Sequence, residues 1–151
     1  MFSRMSKPDL SFDALRRVHD TCLCFNLQRA ARAQARRYDR ALRPSGLTNG
    51  QFSLMMMLMR PHRPTIGTLA NELSMDRTTL TALLKPLRRR GFIETSAAAD
   101  DSRRRELTLT PEGRRVVRAA WPLWQTVQEQ TKKIKGAPPL SKFVASLHPF
   151  L

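Results

Sequence analysis

The chain has 151 residues, 41% hydrophobic and 26% charged, and its 27 lysines and arginines against 12 acids leave a formal charge of +15. That length suits one domain burying roughly two-thirds of its unfolded surface, and the longest apolar run, Leu54–Met59, is far short of the roughly 20 residues of a bilayer span. Two cysteines, Cys22 and Cys24, cannot build a disulfide framework, and nothing else resembles a metal cluster. No apolar stretch follows the charges of residues 1–10, so no leader is expected, and the chain reads as soluble, reduced and cytoplasmic.

The charge surplus is spread along the chain. Residues 1–60 carry 11 basic and 4 acidic groups, residues 61–118 carry 12 and 7, and residues 119–151 carry 4 and 1. A basic tail is excluded; a folded basic surface remains, suited to nucleic acid or an anionic membrane surface.

Asp9 or Ser11 can cap a first helix whose apolar residues (Leu15, Val18, Cys22, Phe25, Leu27) recur at helical spacing and whose pattern runs on to Leu42, before Pro44-Ser45-Gly46. An uninterrupted helix of that length is too long for a small domain to bury alone, which predicts packing against a partner. Thr48 caps a second helix to about Met59, closed by Pro61 and Pro64. Thr65 opens a short helix from Ile66 to Leu73; Ser74-Met75 turns, and Asp76 caps a helix to about Arg90 with Leu80, Leu83, Leu84 and Leu87 as one apolar stripe. Pro86 is expected to kink its last turn. Phe92–Thr95 and Glu106–Thr110 have strand character around a polar tip from Ser96 to Arg105. Thr110-Pro111-Glu112 then starts a long helix to about Lys135, with a second kink at Pro122, and Ser141–Leu147 forms a last short one.

Short helix, tight turn, capped helix, glycine and an arginine-tipped hairpin is the order of a winged helix-turn-helix. The expected fold is mainly α, with a small two- to three-stranded β wing. Off the leucine stripe, Arg77, Thr78, Thr79, Thr81, Lys85 and Arg88 suit phosphates and base edges. Arg103, Arg104 and Arg105 sit where a minor groove could take a guanidinium.

Four stretches together resemble the MarR (multiple antibiotic resistance regulator) family: Leu42–Thr48 with Gln51-Phe52, Ile66–Leu73, Asp76–Thr81 through Arg88–Gly91, and Asp101-Ser-Arg103 with Leu107–Gly113. The resemblance implies a single domain over 1–151, with long dimerisation helices at 10–45 and 111–151 and a DNA-binding winged helix-turn-helix at 46–110. It implies a homodimer that places one recognition helix per subunit in successive major grooves of a pseudo-palindromic double-stranded operator, about 34–36 Å apart. It implies that Asp101 orients an arginine and that Arg103 enters the minor groove. It also implies a repressor released by a small aromatic ligand or an oxidant.

Leu23-Cys24-Phe25 with Tyr38 resembles the branch of that family that senses organic hydroperoxides, where tyrosines hydrogen-bond a thiolate; Asn49-Gly50 departs from it. A Cys22–Cys24 bridge within one helix is geometrically poor, and both thiols also fit as small buried hydrophobes. Met55, Met56, Met57 and Met59 read as core and pocket packing, Trp121 and Trp124 as dimer contacts, and Arg29, Arg32, Arg36, Arg40 and Arg43 as a solvated stripe or a phosphate-facing edge. Arg88, Arg89 and Arg90 are phosphate anchors or plain surface, and Arg105 is a partner for Glu94 or Glu106. No triad, paired carboxylates or phosphate loop is visible, so no enzyme, metal or cofactor is expected. Two rivals remain: a basic nucleic-acid-binding protein without sequence preference, and a thiol peroxidase acting through Cys24.

Overall fold

The structure, a computed structural model, describes residues 11–98, 101 and 103–150; Asp9, the alternative first cap, and Ser102 of the wing motif lie outside them. The described chain falls into two compact units, one up to Arg36 and one from Arg37 onward. It is mainly helical, with one two-stranded antiparallel sheet.

In the first unit, Ser11 caps α1 (Phe12–Thr21), its hydroxyl accepting from the Ala14 N–H at 3.3 Å. The expected uninterrupted helix is not formed. Cys22 is extended (φ −72°, ψ 108°), and α2 (Leu23–Leu42) begins anew after it. Asn26 accounts for the break: its side-chain amide donates to the carbonyls of His19 at 2.8 Å and Cys22 at 3.0 Å. A short polar side chain thus supplies locally the bonds that a continuous helix would need. α1 buries no residue, and Phe12, Leu15 and Val18 stay 71%, 64% and 51% exposed. With Phe25 they line a cleft of about 420 Å³.

In the second unit, the end of α2 passes through a 3-10 turn (Arg43–Ser45) to α3 (Asn49–Met57). Thr48 and Gln51 form a reciprocal capping box there, and the Asn49 N–H also donates to Asp39 at 2.6 Å. Thr65 caps α4 (Ile66–Glu72), and Asp76 caps α5 (Arg77–Arg89), which continues through Pro86. Gly91 then takes φ +68° while its N–H donates to the Arg88 carbonyl and that of Phe92 donates to the Leu87 carbonyl. This pair of bonds closes a helix end on a left-handed residue, where glycine avoids the Cβ penalty. Because Phe92 completes this cap, β1 starts one residue later than its alternation predicts.

β1 (Ile93–Ala97) pairs antiparallel with β2 (Arg105–Leu109), Thr95 opposite Leu107 and Ala97 opposite Arg105. The third strand is reduced to a single bridge between Thr65 and Glu106. α6 (Pro111–Lys132) stops short of the expected Lys135, and α7 (Leu140–Leu147) follows. The core brings Leu42, Phe52 and Met55 together with Leu69, the α5 stripe, Leu107 of β2 and Val117 of α6. Met56, Met57 and Met59 pack on its edge. Trp124 does so too, partly buried with its ring 6.2 Å from Phe52 and 4.9 Å from Trp121; Trp121 remains 39% exposed.

Candidate nucleic-acid interface

Leu80, Leu84 and Leu87 are fully buried, which fixes the rotation of α5 and turns Arg77, Thr78, Thr79, Thr81, Lys85 and Arg88 to the exposed side. The structure then divides these six by what their polar groups do. The Asp76 carboxylate accepts from the Thr79 N–H at 2.8 Å and the Thr79 hydroxyl at 2.6 Å, and these bonds hold its pKa below the ordinary aspartate value. Thr81 donates to the Arg77 carbonyl at 2.7 Å. Thr79 and Thr81 are therefore engaged by the helix itself, whereas Thr78 and Lys85 are exposed with no side-chain hydrogen bond among the described residues, and the exposed Arg77 lays its guanidinium beside Gly67 of α4.

Of the arginines that end α5, two are structural ties. Arg88 Nη2 donates to the Thr95 hydroxyl at 2.7 Å, fastening the helix end to β1. Arg90 Nη1 donates to the Gly46 carbonyl at 2.6 Å, with its guanidinium carbon 4.4 Å from the Phe92 ring centroid. Arg90 is thus exposed but tied within its own chain to Gly46 and Phe92.

At the wing, Asp101 Oδ1 accepts from the Arg103 N–H at 2.9 Å, and its carbonyl accepts from the Arg104 N–H at 3.0 Å. Asp101 orients Arg103 through the backbone turn; its carboxylate holds the Arg103 main chain. Arg104, not Arg105, reaches Glu106, at 3.5 Å. Glu94 instead accepts from Thr108 at 3.5 Å.

A cleft of about 680 Å³ lies where α4, the start of α5 and the wing meet, and six arginines line it: Arg60, Arg63, Arg77, Arg103, Arg104 and Arg105. Arg60 is paired with Glu72 and Arg104 with Glu106. Arg63, Arg77, Arg103 and Arg105 have no carboxylate partner among the described residues. Arg77 is aimed across α4: a methyl group added at Gly67 would lie 3.0 Å from its Nη2. Arg60 and Arg63 carry no role readable from the sequence. What brings them here is the Leu107 N–H donating to the Pro64 carbonyl at 2.9 Å, beside the Thr65–Glu106 bridge. The signal lies in a pairing between residues about forty positions apart.

Cys24 is exposed, and the Gln28 side-chain amide donates to its sulfur at 3.3 Å. Cys22, half-buried, is the extended residue at the break between α1 and α2, so it and Cys24 do not share one helix. Tyr38 belongs to the second unit, its ring 6.4 Å from that of Trp124, and burial pushes its phenol above the ordinary value against an opposing hydrogen bond with Thr131. No helix among the described residues is long and apolar enough to cross a membrane.

A family model described as the MarR family matches residues 47–104. The chain is similar to the crystallised Mycobacterium tuberculosis transcriptional regulator MosR in complex with DNA, at 40% identity and a TM-score of 0.73 over 83% of this chain and 92% of that one. It is 30% identical to the regulator SarZ of Staphylococcus haemolyticus over 60% of this chain and 62% of that protein. It is 28% identical to the organic hydroperoxide resistance transcriptional regulator of Bacillus subtilis over 60% and 62%. The matched stretch thus spans less than two-thirds of these two curated relatives. With the MosR likeness running nearly end to end, and the winged helix-turn-helix found where the motifs placed it, this chain belongs to the MarR family.

Proposed function

We propose that this protein is a cytoplasmic, sequence-specific transcriptional regulator that binds a pseudo-palindromic duplex as a homodimer and represses until a small molecule or an oxidant releases it. The carrying observation is the orientation of α5: three fully buried leucines hold Arg77, Thr78 and Lys85 outward, in the same unit as the Arg103 wing. A rod of that kind fits a major groove while the wing reaches the adjacent minor groove. The DNA-bound state of MosR supports the same assignment here. The second copy would cover Phe12, Leu15 and Val18 in the first unit, and Phe143 and Val144 of α7 in the second, all of them exposed.

The test is competitive binding of a duplex selected from a random library against unrelated duplex at fixed salt. A regulator prefers its operator by roughly 10³-fold or more. Arg103→Ala is expected to weaken operator binding at least roughly tenfold while light scattering still reports a dimer. Equal affinity for both duplexes would replace this reading with that of a non-specific basic protein.

The Gln28 contact to an exposed Cys24 sulfur favours a hydroperoxide as the releasing oxidant. The Cys24 thiolate would attack the terminal peroxide oxygen, forming an S–O bond as the O–O bond breaks and the alcohol leaves. One equivalent of hydroperoxide should add the mass of one oxygen atom to the wild type and weaken DNA binding. Cys24→Ser should do neither, and rapid multiple turnover with a thiol donor would instead mark a peroxidase.

A further inference from the structure

We propose that Arg63, on the loop between α3 and α4, is a DNA-phosphate contact that grips the sugar–phosphate strand lying between the two grooves. The proposal rests on the functional reading above and adds to it a residue outside both the recognition helix and the wing. Three observations carry it.

The first is placement. When α5 occupies a major groove and the wing the neighbouring minor groove, the backbone strand that separates the grooves must pass between them. The arginine-lined cleft opens at that place, with Arg77 from the first turn of α5 on one side and Arg103 and Arg105 of the wing on the other.

The second is rigidity. Arg63 sits between Pro61 and Pro64, Pro64 is buried, and its carbonyl is bonded to the β2 backbone at 2.9 Å. A side chain on an anchored, proline-restricted loop loses less backbone freedom on binding than one on a free loop, so its contact is pre-organised.

The third is charge. Both carboxylates that line the cleft are committed, Glu72 to Arg60 and Glu106 to Arg104. Arg63 is exposed and has no acidic partner among the described residues, next to three other guanidinium groups in the same state. A cluster of uncompensated like charges repels itself until a polyanion threads it, and a phosphodiester accepts a guanidinium fork with two bonds.

The experiment is a salt titration of duplex affinity for the full-length protein and for Arg63→Ala, Arg63→Lys and Lys142→Ala, on the selected operator and on unrelated duplex. Lys142→Ala removes one charge from α7, outside the cleft. Arg63→Ala should weaken both duplexes alike, by roughly 3- to 10-fold at moderate salt, and lower the slope of log affinity against log salt by about 1 per bound subunit. Arg63→Lys should keep most of the slope, and Lys142→Ala should leave it unchanged. An unchanged slope and affinity in Arg63→Ala, with Arg103→Ala still impaired, overturns the Arg63 assignment alone. So does a loss confined to the operator, which would make Arg63 a base reader. If Arg103→Ala and Lys85→Ala are also silent, the regulator reading itself fails. Matching thermal melts of all variants keep a folding defect from passing as a lost contact.

Discussion

Gly113 is the buried third residue of α6 and lies directly against the backbone of Phe92, which follows α5. A methyl group built there would sit 2.1 Å from the Phe92 carbonyl oxygen, 3.0 Å from its carbon and 3.2 Å from its Cα. Even favourable carbon–oxygen contacts stop at about 3.3 Å, so Gly113→Ala must push the two backbones about 1 Å further from each other. Neither is free to move. The Phe92 carbonyl accepts from the Thr110 N–H at 3.0 Å, and the Thr110 hydroxyl donates to the Gly91 carbonyl at 2.6 Å while capping α6. Overpacking costs roughly 1–3 kcal/mol, and the two strained hydrogen bonds add about 1 kcal/mol each. The better helix propensity of alanine returns about 0.5–1 kcal/mol. The net is a loss of about 3 kcal/mol, or roughly 6–12 °C in Tm for a chain of this size. Thermal melts at one protein concentration, with concentration held fixed because association shifts Tm, provide the assay. Gly50→Ala is the control, since its added methyl would meet Leu83 Cδ2 at an ordinary 3.8 Å, and it should melt at or above the wild-type temperature. A Gly113→Ala protein that melts within about 2 °C of wild type would show that the packing of α6 on the α5–β1 junction is not as tight as described.

Asp76 makes α5 acid-sensitive. Its folded pKa is depressed, chiefly by the Thr79 hydroxyl and then by the Thr79 N–H, so its contribution to stability is present above the ordinary aspartate value near 4 and lost as pH falls through the lower folded value. Asp76→Ala should melt lower than wild type at neutral pH, with the gap narrowing below about pH 4; a gap unchanged at about pH 2 contradicts the cap. Tyr38 is the single tyrosine in the sequence, so phenolate absorbance reports it alone. Burial, its largest influence, raises its pKa, so the stability it contributes is full below about pH 10 and is lost as pH rises through the raised folded value. Its titration midpoint should lie above about 10 when folded and return to about 10 on denaturation; a folded midpoint at or below 10 counts against its packing on Trp124.

Much of this protein is written in short-range patterns. The caps at Thr48, Thr65, Asp76 and Thr110, the leucine stripe of α5 and the alternation of β2 each depend on residues within about a turn of one another, where side-chain spacing and local hydrogen bonding decide the backbone. Those patterns carry the winged helix-turn-helix and place Arg77, Thr78, Lys85 and Arg103 outward. What they leave open is where long or polar side chains find partners. The break at Cys22 turns on one amide, Asn26, that captures two carbonyls without disturbing the apolar period on either side. Arg90 is drawn to a carbonyl 44 residues away in sequence, and Glu106 takes Arg104 rather than Arg105. The loop carrying Arg63 reaches the wing through a backbone bond between Pro64 and Leu107. An arginine has the same residue type and flanking sequence whether it meets a carbonyl, a carboxylate or open solvent. Only the packed chain, by fixing which acceptors lie within its reach, separated the arginines that hold the fold from those left for an anion.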